Sequence, residues 1–593
     1  MTLGGGAMTN SIPEIGAESD CIFIIGSNTA ECHPLIARQV IRARERGARL
    51  IVADPRRTEM ANKADVWLQV PPGYNIPLLN GMINIIIEEK LHDGDFIASC
   101  TEGFEEMKQA AAEWTPKRVN EVTGIPAEDL RKAARLYAGG KAAVILYCMG
   151  VTQFSFGTGT VVSLSNLAAI TGNLGRPGTG VDPLRGQNNV QGACDMGCLP
   201  NVFPGYLSVT TAENRARFSK EWGVELPSTV GLKVSEVPEA ILEGKIRALY
   251  IFGENPVMSD PDCDHFRKSL EQLDFLIVQD IFLSETARLA DVVFPAACWG
   301  EKDGTFTSTE RRVQLVRKAV APPGEAREDW WVFKELAGKM GYRGLDYLHP
   351  REIWEEVRRV VPEKFGGICY RRLNEQRGIH WPCPSEDHPG TPILYSGGKF
   401  STPSGKAQLR PVIFDPVQVP EEKTKAFPGA LTGSIKELPD EDYPFTLTTG
   451  RRVYHYHTGT MTRRAEVLNT VGAEQLIEVN PVDAARMGIK DGDFVRIATR
   501  RGSITAKAWV TGRVPEKTLF TSFHFWEANV NELTNTVRDP VAGIPEYKVC
   551  AARLERVTPA EAASSYKEKM EKYRLDLVQK TKEELERKGG EQR

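Results

Sequence analysis

The chain has 593 residues, 41% of them hydrophobic and 26% charged, with a formal net charge of −4. That length exceeds what a single core supports and predicts about three or four domains. The near-neutral balance gives no reason to expect nucleic acid or anionic lipid as a partner, and no apolar run reaches the roughly 18 residues of a membrane span.

The first eight residues, Met-Thr-Leu-Gly-Gly-Gly-Ala-Met, carry neither the basic nor the apolar segment of a secretory signal. Their triple glycine reads as the middle of a loop. Strand-like and helix-like stretches then alternate up to residue 187. Short apolar runs at Cys21–Ile25, Arg49–Ala53, 66–70 and Ala143–Tyr147 suit strands buried on both faces. Helices are predicted over 33–46, with Gly47 as its stop, and over 76–90 and 126–138. Pro126 with Glu128 and Asp129 forms the first turn of the last of these, and Gly139-Gly140 ends it.

Residues 188–300 repeat the pattern of the first half. Cys21-Ile-Phe-Ile-Ile-Gly26-Ser27-Asn28 is echoed by Ala248-Leu-Tyr-Ile-Phe-Gly253-Glu254-Asn255. Leu50-Ile-Val-Ala-Asp54 is echoed by Leu276-Ile-Val-Gln-Asp280, and Ala64-Asp65-Val66 by Ala290-Asp291-Val292. The Gly-to-Asp separation is 28 residues in one copy and 27 in the other, and the Asp-to-Ala step is 10 in both. Each copy reads as strand, glycine turn, helix and a second strand ending in Asp, the unit that grips one nucleotide. Gly26 and Gly253 let backbone approach a phosphate at a helix start, and Asp54 and Asp280 can accept from ribose hydroxyls. Neither copy completes G-x-G-x-x-G, which argues against a plain NAD site.

Between the halves lies Arg185-Gly-Gln187-Asn188-Asn189-Val-Gln191-Gly192-Ala-Cys194-Asp195-Met-Gly197. It holds one Arg, four amides and three glycines in thirteen residues. Such a stretch cannot make an apolar element. It suits close approach to a heterocycle, and the arginine can fork two N–H groups onto a carboxylate.

Residues 301–395 mix helix with Pro/Gly-rich loops and read as connections plus a small subdomain. From 396 to 558 the pattern turns to strands (477–479, Phe494–Ala498, Ser503–Val510, 518–521), with a hairpin turn at Arg500-Arg-Gly502 and Asn480 as a helix cap. A β-barrel is the expected form. It carries Arg451, His455, Tyr456 and His457, then 531–534 and Pro545-Glu-Tyr547-Lys548. His455 and His457 stand two apart with no carboxylate in view, so polar contacts to a large cofactor are expected rather than a metal site. Residues 559–593 form a charged helical tail, solvated or docking another subunit through Leu575, Val578 and Leu585. The 11 cysteines include no Cys-x-x-Cys, and Cys194 and Cys198 are the nearest pair. They read as buried or incidental thiols in a reducing, cytoplasmic setting.

The chain resembles the large subunits of formate dehydrogenases in the molybdopterin oxidoreductase family. The likeness rests on Gly-Ala-Met-Thr-Asn (6–10), Ile-Ile-Gly-Ser-Asn (24–28) with His33-Pro34, Ala-Asp-Pro-Arg (53–56), Thr101-Glu-Gly-Phe-Glu and Met149-Gly-Val-Thr-Gln153-Phe. Thr171-Gly-Asn-Leu-Gly, the 185–197 segment, Val278-Gln-Asp-Ile-Phe282, Thr-Pro-Ser-Gly-Lys (402–406) and Pro-Glu-Tyr-Lys (545–548) complete it. The 185–197 segment is what sets formate dehydrogenases apart from nitrate, arsenate and polysulfide reductase relatives. The resemblance implies an α/β chain with two related doubly wound nucleotide-binding domains and a six-stranded-type β-barrel. It also implies two molybdopterin guanine dinucleotides around molybdenum or tungsten.

By resemblance, Gly26, Asn28, Asp54, Arg56 and Gln153 serve one dinucleotide. Gln187, Glu254, Asn255, Gln279 and Asp280 serve the other, and His455, Asn531 and Lys548 come from the barrel. Further cofactor contacts are expected at Ser27, Glu31, Pro55, Gly73, Asn75, Gly150, Gly253, Arg451 and Tyr547. Arg185 matches the arginine that holds formate beside the metal. No metal ligand is assigned within the chain. In the family a selenocysteine or cysteine ligand with a neighbouring His, and a domain carrying one 4Fe-4S cluster, precede the point where this sequence starts. The expected account is a reading frame that begins after an in-frame UGA, or a separate N-terminal polypeptide, and the chain alone is then expected not to turn over. Implied partners are formate and CO2, the cluster-bearing segment or subunit, and an electron-transfer subunit of iron–sulfur, flavin or hydrogenase type. A non-catalytic scaffold subunit is the alternative, and a plain NAD-dependent dehydrogenase a more distant one.

Overall fold

The computed structural model describes residues 2–573. Strands β1 (Cys21–Ile25), β2 (Arg49–Ala53), β3 (Val66–Leu68), β4 (Ala143–Tyr147) and β5 (Gly180–Pro183) form one parallel sheet in the order β3-β2-β1-β4-β5. Every residue of β1 and β4 is buried, as a sheet covered on both faces requires. Phe23, Ile25, Ile51 and Ile145 face helices α3 (Asn75–Glu88), α4 (Ala127–Ala138) and α5 (Gly157–Ile170). Ile22, Ile24, Leu50 and Val144 face α1 (Ile12–Ala17) and α2 (Pro34–Glu45). The helix predicted over 33–46 is α2: His33 is its N-cap, Pro34, which has no N–H, opens it, and a separate short turn at Thr29–Cys32 precedes it.

The second half builds a smaller parallel sheet, β8-β7-β6, from β6 (Ala248–Phe252), β7 (Phe275–Asp280) and β8 (Val292–Pro295). The matched sequence spacing yields matched bonds. Gly26 N–H donates to the Ala53 carbonyl at 3.0 Å and Gly253 N–H to the Gln279 carbonyl at 2.9 Å. The Asp65 carboxylate accepts from Leu50 N–H at 2.8 Å, and Asp291 from Leu276 N–H at 2.7 Å.

Residues 301–395 contain an antiparallel sheet of β9 (Gly304–Thr307), β10 (Arg312–Val316) and β11 (Ile379–His380), together with helices packed around Trp354 and Phe365. The barrel is closed: β12 (Phe445–Gly450), β13 (Leu476–Val479), β14 (Phe494–Ala498), β15 (Ser503–Val510), β16 (Thr518–Ser522) and β17 (Cys550–Arg556) run in the order β12-β16-β13-β15-β14-β17. Asn480 accepts from Val482 N–H at 2.9 Å, a side-chain helix cap.

The stretch 400–435, grouped by sequence with the barrel, instead packs on the first half. Phe400, Leu409, Val412, Phe414 and Ile435 join its core, with Phe414 edge-on to Phe156 at 5.4 Å. Burial of these apolar side chains, aliphatic and aromatic together, holds it there. Helix α6 (Pro559–Lys572) docks on its own chain. Lys572 pairs with Glu532 at 2.8 Å, Lys569 pairs with the same carboxylate, and Tyr573 O–H donates to it at 2.9 Å. Leu575, Val578 and Leu585 lie outside the described residues. No helix among the described residues is long and apolar enough to cross a membrane.

Candidate cofactor site

A cleft of about 1060 Å³, part of it open to solvent, runs between the first half and the barrel. Gly26, Ser27, Asn28, Asp54, Pro55, Arg56, Asn75, Gly150 and Gln153 line it from the first half, and Arg451, His457, Phe520 and Lys548 from the barrel. Gln187, which the resemblance gives to the second dinucleotide, lines this first cleft.

Two glycines bring bare backbone to its wall. Gly26 has φ +57 and sits against Gly150, where a Cβ would come within 2.5 Å of the Gly150 carbonyl carbon. Asn75 Nδ2 fixes this contact from behind by donating to the Gly150 carbonyl at 3.0 Å. Both polar atoms of the Asn28 side chain are buried without a partner. An amide placed so is costly unless a ligand satisfies it.

Charge in the cleft is net positive. Arg451 has no hydrogen bond or ion pair among the described residues, and a Cβ on Gly186 would fall 2.5 Å from its guanidinium. Lys548 is buried, with Nζ donating to the Thr449 carbonyl at 2.7 Å, and burial pulls its pKa down to about 8. Burial raises the Asp54 carboxyl to about 6, against the Arg56 amide and the cations Arg56, Lys548 and Arg513. Arg56 adds less than its charge suggests. It is forked onto Glu478 (Nε–Oε2 3.1 Å, Nη2–Oε1 2.5 Å) and lies 3.4 Å above the Phe520 ring. Two cations without an ion pair among the described residues, one carboxylate able to accept from ribose, an orphaned amide and the side-chain-free contact of Gly26 with Gly150 suit a phosphate-bearing nucleoside.

Other expected residues stand behind the wall. Glu31 pairs with Arg513 at 2.8 Å, and Gly73 lies under Ile435. His455 is buried, with Nε2 on the Gly472 carbonyl at 2.6 Å and Nδ1 on Thr462. Asn531 donates to the Met258 and Ser259 carbonyls at 2.8 and 3.1 Å, and Tyr547 O–H to Ser259 at 3.1 Å, so both clamp the barrel to the second half.

In the second half Gly253 has φ +63 and open space where a Cβ would stand. Asn255 is fully engaged, accepting from Thr286 and donating to Glu285 at 2.7 Å. Gln279 is held by Tyr250 and by Asp329 at 2.8 Å. Asp280 accepts from Ile281 N–H at 2.7 Å, and burial raises its pKa and that of Glu254. Sequence reasoning missed Arg288 and Arg464. Arg288 has Nε and Nη1 buried without partners, and Arg464 lies over Phe282 at 4.7 Å. Nothing in the repeat marks Arg288, because the matching position of the first copy is Asn62.

Arg185 stands where the 185–187 segment meets the first cleft. Its carbonyl accepts from His33 Nε2 at 2.9 Å, which leaves Nδ1 of that cleft-lining ring as an unpartnered acceptor. Burial, aided by Arg451, lowers the His33 pKa and keeps the ring neutral. The guanidinium reaches the Gly6 carbonyl at 3.0 Å and the Cys194 sulfur at 3.4 Å, and its Nε is buried without a partner. Among the described residues no three His, Cys, Asp or Glu side chains come together as a metal site.

Comparison with known proteins agrees with this layout. Residues 4–339 match the family described as molybdopterin oxidoreductase, and 445–551 the molydopterin dinucleotide binding domain. The F420-dependent formate dehydrogenase subunit alpha of Methanocaldococcus jannaschii is 53% identical over 93% of this chain and 79% of its own length. Formate dehydrogenase H of Escherichia coli is 42% identical over 95% and 76%. The assimilatory nitrate reductase catalytic subunit of Bacillus subtilis is 38% identical over 92% and 76%. Among solved structures, the acetylene hydratase of Pelobacter acetylenicus shares the fold, with TM-score 0.75 and 22% identity over 94% of this chain and 80% of that one. On these matches, and on the paired half-sites closed by a barrel, the chain belongs to the molybdopterin oxidoreductase family.

Proposed function

We propose that the chain is the catalytic portion of a formate dehydrogenase, converting formate reversibly to CO2, one proton and two electrons. It would hold two molybdopterin guanine dinucleotides around molybdenum or tungsten, the first in the cleft between Gly26 and Lys548. The observation that carries this reading is Arg185, whose guanidinium keeps a buried, unpartnered Nε and whose backbone carbonyl is bonded to the cleft-lining His33. The names of the most similar relatives support formate as the substrate.

The residues divide the work. Gly26 and Gly150 give backbone access to a phosphate, Arg451 and Lys548 offset its charge, and Asp54 accepts from ribose. In the second half that part falls to Gly253, Arg288, Arg464 and Asp280. Arg185 forks onto the formate carboxylate and turns its C–H toward the centre of the site, a fixed geometry in place of a random encounter. The bound metal cofactor supplies the two-electron redox chemistry. The metal's selenocysteine or cysteine ligand and the 4Fe-4S cluster belong, in this reading, to polypeptide outside these residues. An electron-transfer subunit takes the electrons onward, and F420 is the acceptor to try first, given the name of the archaeal relative.

The test uses the full-length enzyme purified with its cofactor. Arg185→Ala is expected to raise KM for formate and lower kcat, and unchanged kinetics would remove the role. Two guanines per metal are expected on acid release. Finding neither guanine nor metal would favour a scaffold subunit instead.

A further inference from the structure

Arg185 is a cation without an anion. No carboxylate pairs with it among the described residues. Its Nη2 rests on the Gly6 carbonyl at 3.0 Å and its Nη1 on the Cys194 sulfur at 3.4 Å, while Nε has no partner. A partly buried guanidinium is ordinarily paired with a carboxylate. Pairing would fix it in place and also cancel the charge an incoming carboxylate needs.

We infer that Cys194 is a positioning residue, whose sulfur aims the Arg185 guanidinium without neutralising it. A thiol sulfur is a weak acceptor. It satisfies one N–H and removes much of the freedom of a long side chain, yet leaves the positive charge for the substrate.

The sulfur is itself firmly placed. Cys194 stands on the short helix Val190–Asp195. Asn189, in the left-handed region at φ +61, precedes that helix and accepts from Thr307 N–H at 2.9 Å. The next residue, Asp195, has a buried carboxylate that takes Gln191 Nε2 at 2.8 Å, Tyr206 O–H at 3.0 Å and Trp381 Nε1 at 2.7 Å. Two of the amides that made this segment look like a cofactor loop are therefore engaged in holding the helix that carries the sulfur.

This inference rests on Arg185 being the substrate arginine, and the experiment separates the two. Steady-state formate kinetics are compared in the full-length holoenzyme and in Cys194→Ala, Cys194→Ser, Cys194→Asp and Arg185→Lys, with metal and guanine content measured for each. Loss of one hydrogen bond to a charged group predicts roughly a fivefold or greater rise in KM for Cys194→Ala, with kcat within about twofold. Serine, which restores an uncharged acceptor, should return KM toward the parent value. Aspartate, which neutralises the guanidinium, should abolish saturation by formate while the cofactor stays bound. A parental KM in Cys194→Ala overturns the inference, as does a serine variant that fails along with alanine and loses cofactor. If Arg185→Lys raises KM and Cys194→Ala does not, only the role of Cys194 falls. If Arg185→Lys also leaves KM unchanged, the substrate-arginine reading falls with it.

Discussion

The amide of Gly150 donates to the carbonyl of Gly26 at 3.0 Å, so two backbone segments meet with no side chain between them. Gly26→Ala would place a methyl 2.5 Å from the Gly150 carbonyl carbon, at a φ of +57 that L-residues avoid. Overpacking and backbone strain together predict a loss of about 2–4 kcal/mol and a narrowed cleft. Gly253→Ala, at the matched place in the second half, meets open space and carries only the conformational cost of about 1–2 kcal/mol. Urea unfolding of the two variants checks the order. Equal losses would mean that the Gly26–Gly150 contact is not what the site depends on.

Arg288 presents two buried, unpartnered donors in the second half. Arg288→Ala should lower the guanine released from the full-length enzyme from two per chain toward one. Guanine quantified after acid release is the measurement. Two guanines retained in the variant would place the second phosphate elsewhere.

His524 predicts an acid limit on stability. The ring accepts the Arg452 amide at Nε2, at 2.9 Å, and donates from Nδ1 to the His457 carbonyl, and burial lowers its pKa to about 3. His457 is lowered to about 4, again chiefly by burial. The unfolded chain takes up these protons near pH 6.5 while the native state does not, so stability is lost as pH falls below that point. At pH 5 the cost is about 2 kcal/mol for each ring. Asp54, raised to about 6, acts in the opposite sense between pH 6 and 4. The comparison is therefore parent against His524→Gln, and the variant should show a shallower fall in urea midpoint between pH 7 and 5. Parallel curves would show that His524 is protonated in the native state.

Most of the first half was legible because β1, β2 and β4 are short, mostly apolar runs and the repeat fixes where β1 and β2 end, whereas β5 was not read, since Gly180-Val-Asp-Pro carries the buried Asp182. The barrel was legible through its hairpin turn and the Asn480 cap. Helix α5 was not, since a helix buried all round has no polar face to give it a period, and this one opens on Gly-Thr-Gly-Thr. The same holds for Phe400 to Ile435, whose strands are two or three residues long and whose place is set by contacts far away in sequence. At the site, glycine turns and strand-end carboxylates are local signals and were read. The engagement of Asn255 and Gln279 by their own neighbours, and the orphaned donors of Arg288, depend on packing that no spacing records.

The walls of the first cleft come from Gly26 at one end of the chain and Lys548 near the other. At a synthesis rate of about 5–20 residues per second, roughly half a minute to two minutes separates the making of those two residues. The pocket does not exist until the second has folded over the first. If the proposed nucleotide binds there, the complete pocket can receive it only after Lys548 has been made. A nascent polypeptide halted before β12 would present the α/β core with the Gly26 turn, proposed to hold a phosphate, uncovered by the barrel, and that arrested form is the one an insertion factor would have to recognise in order to act early.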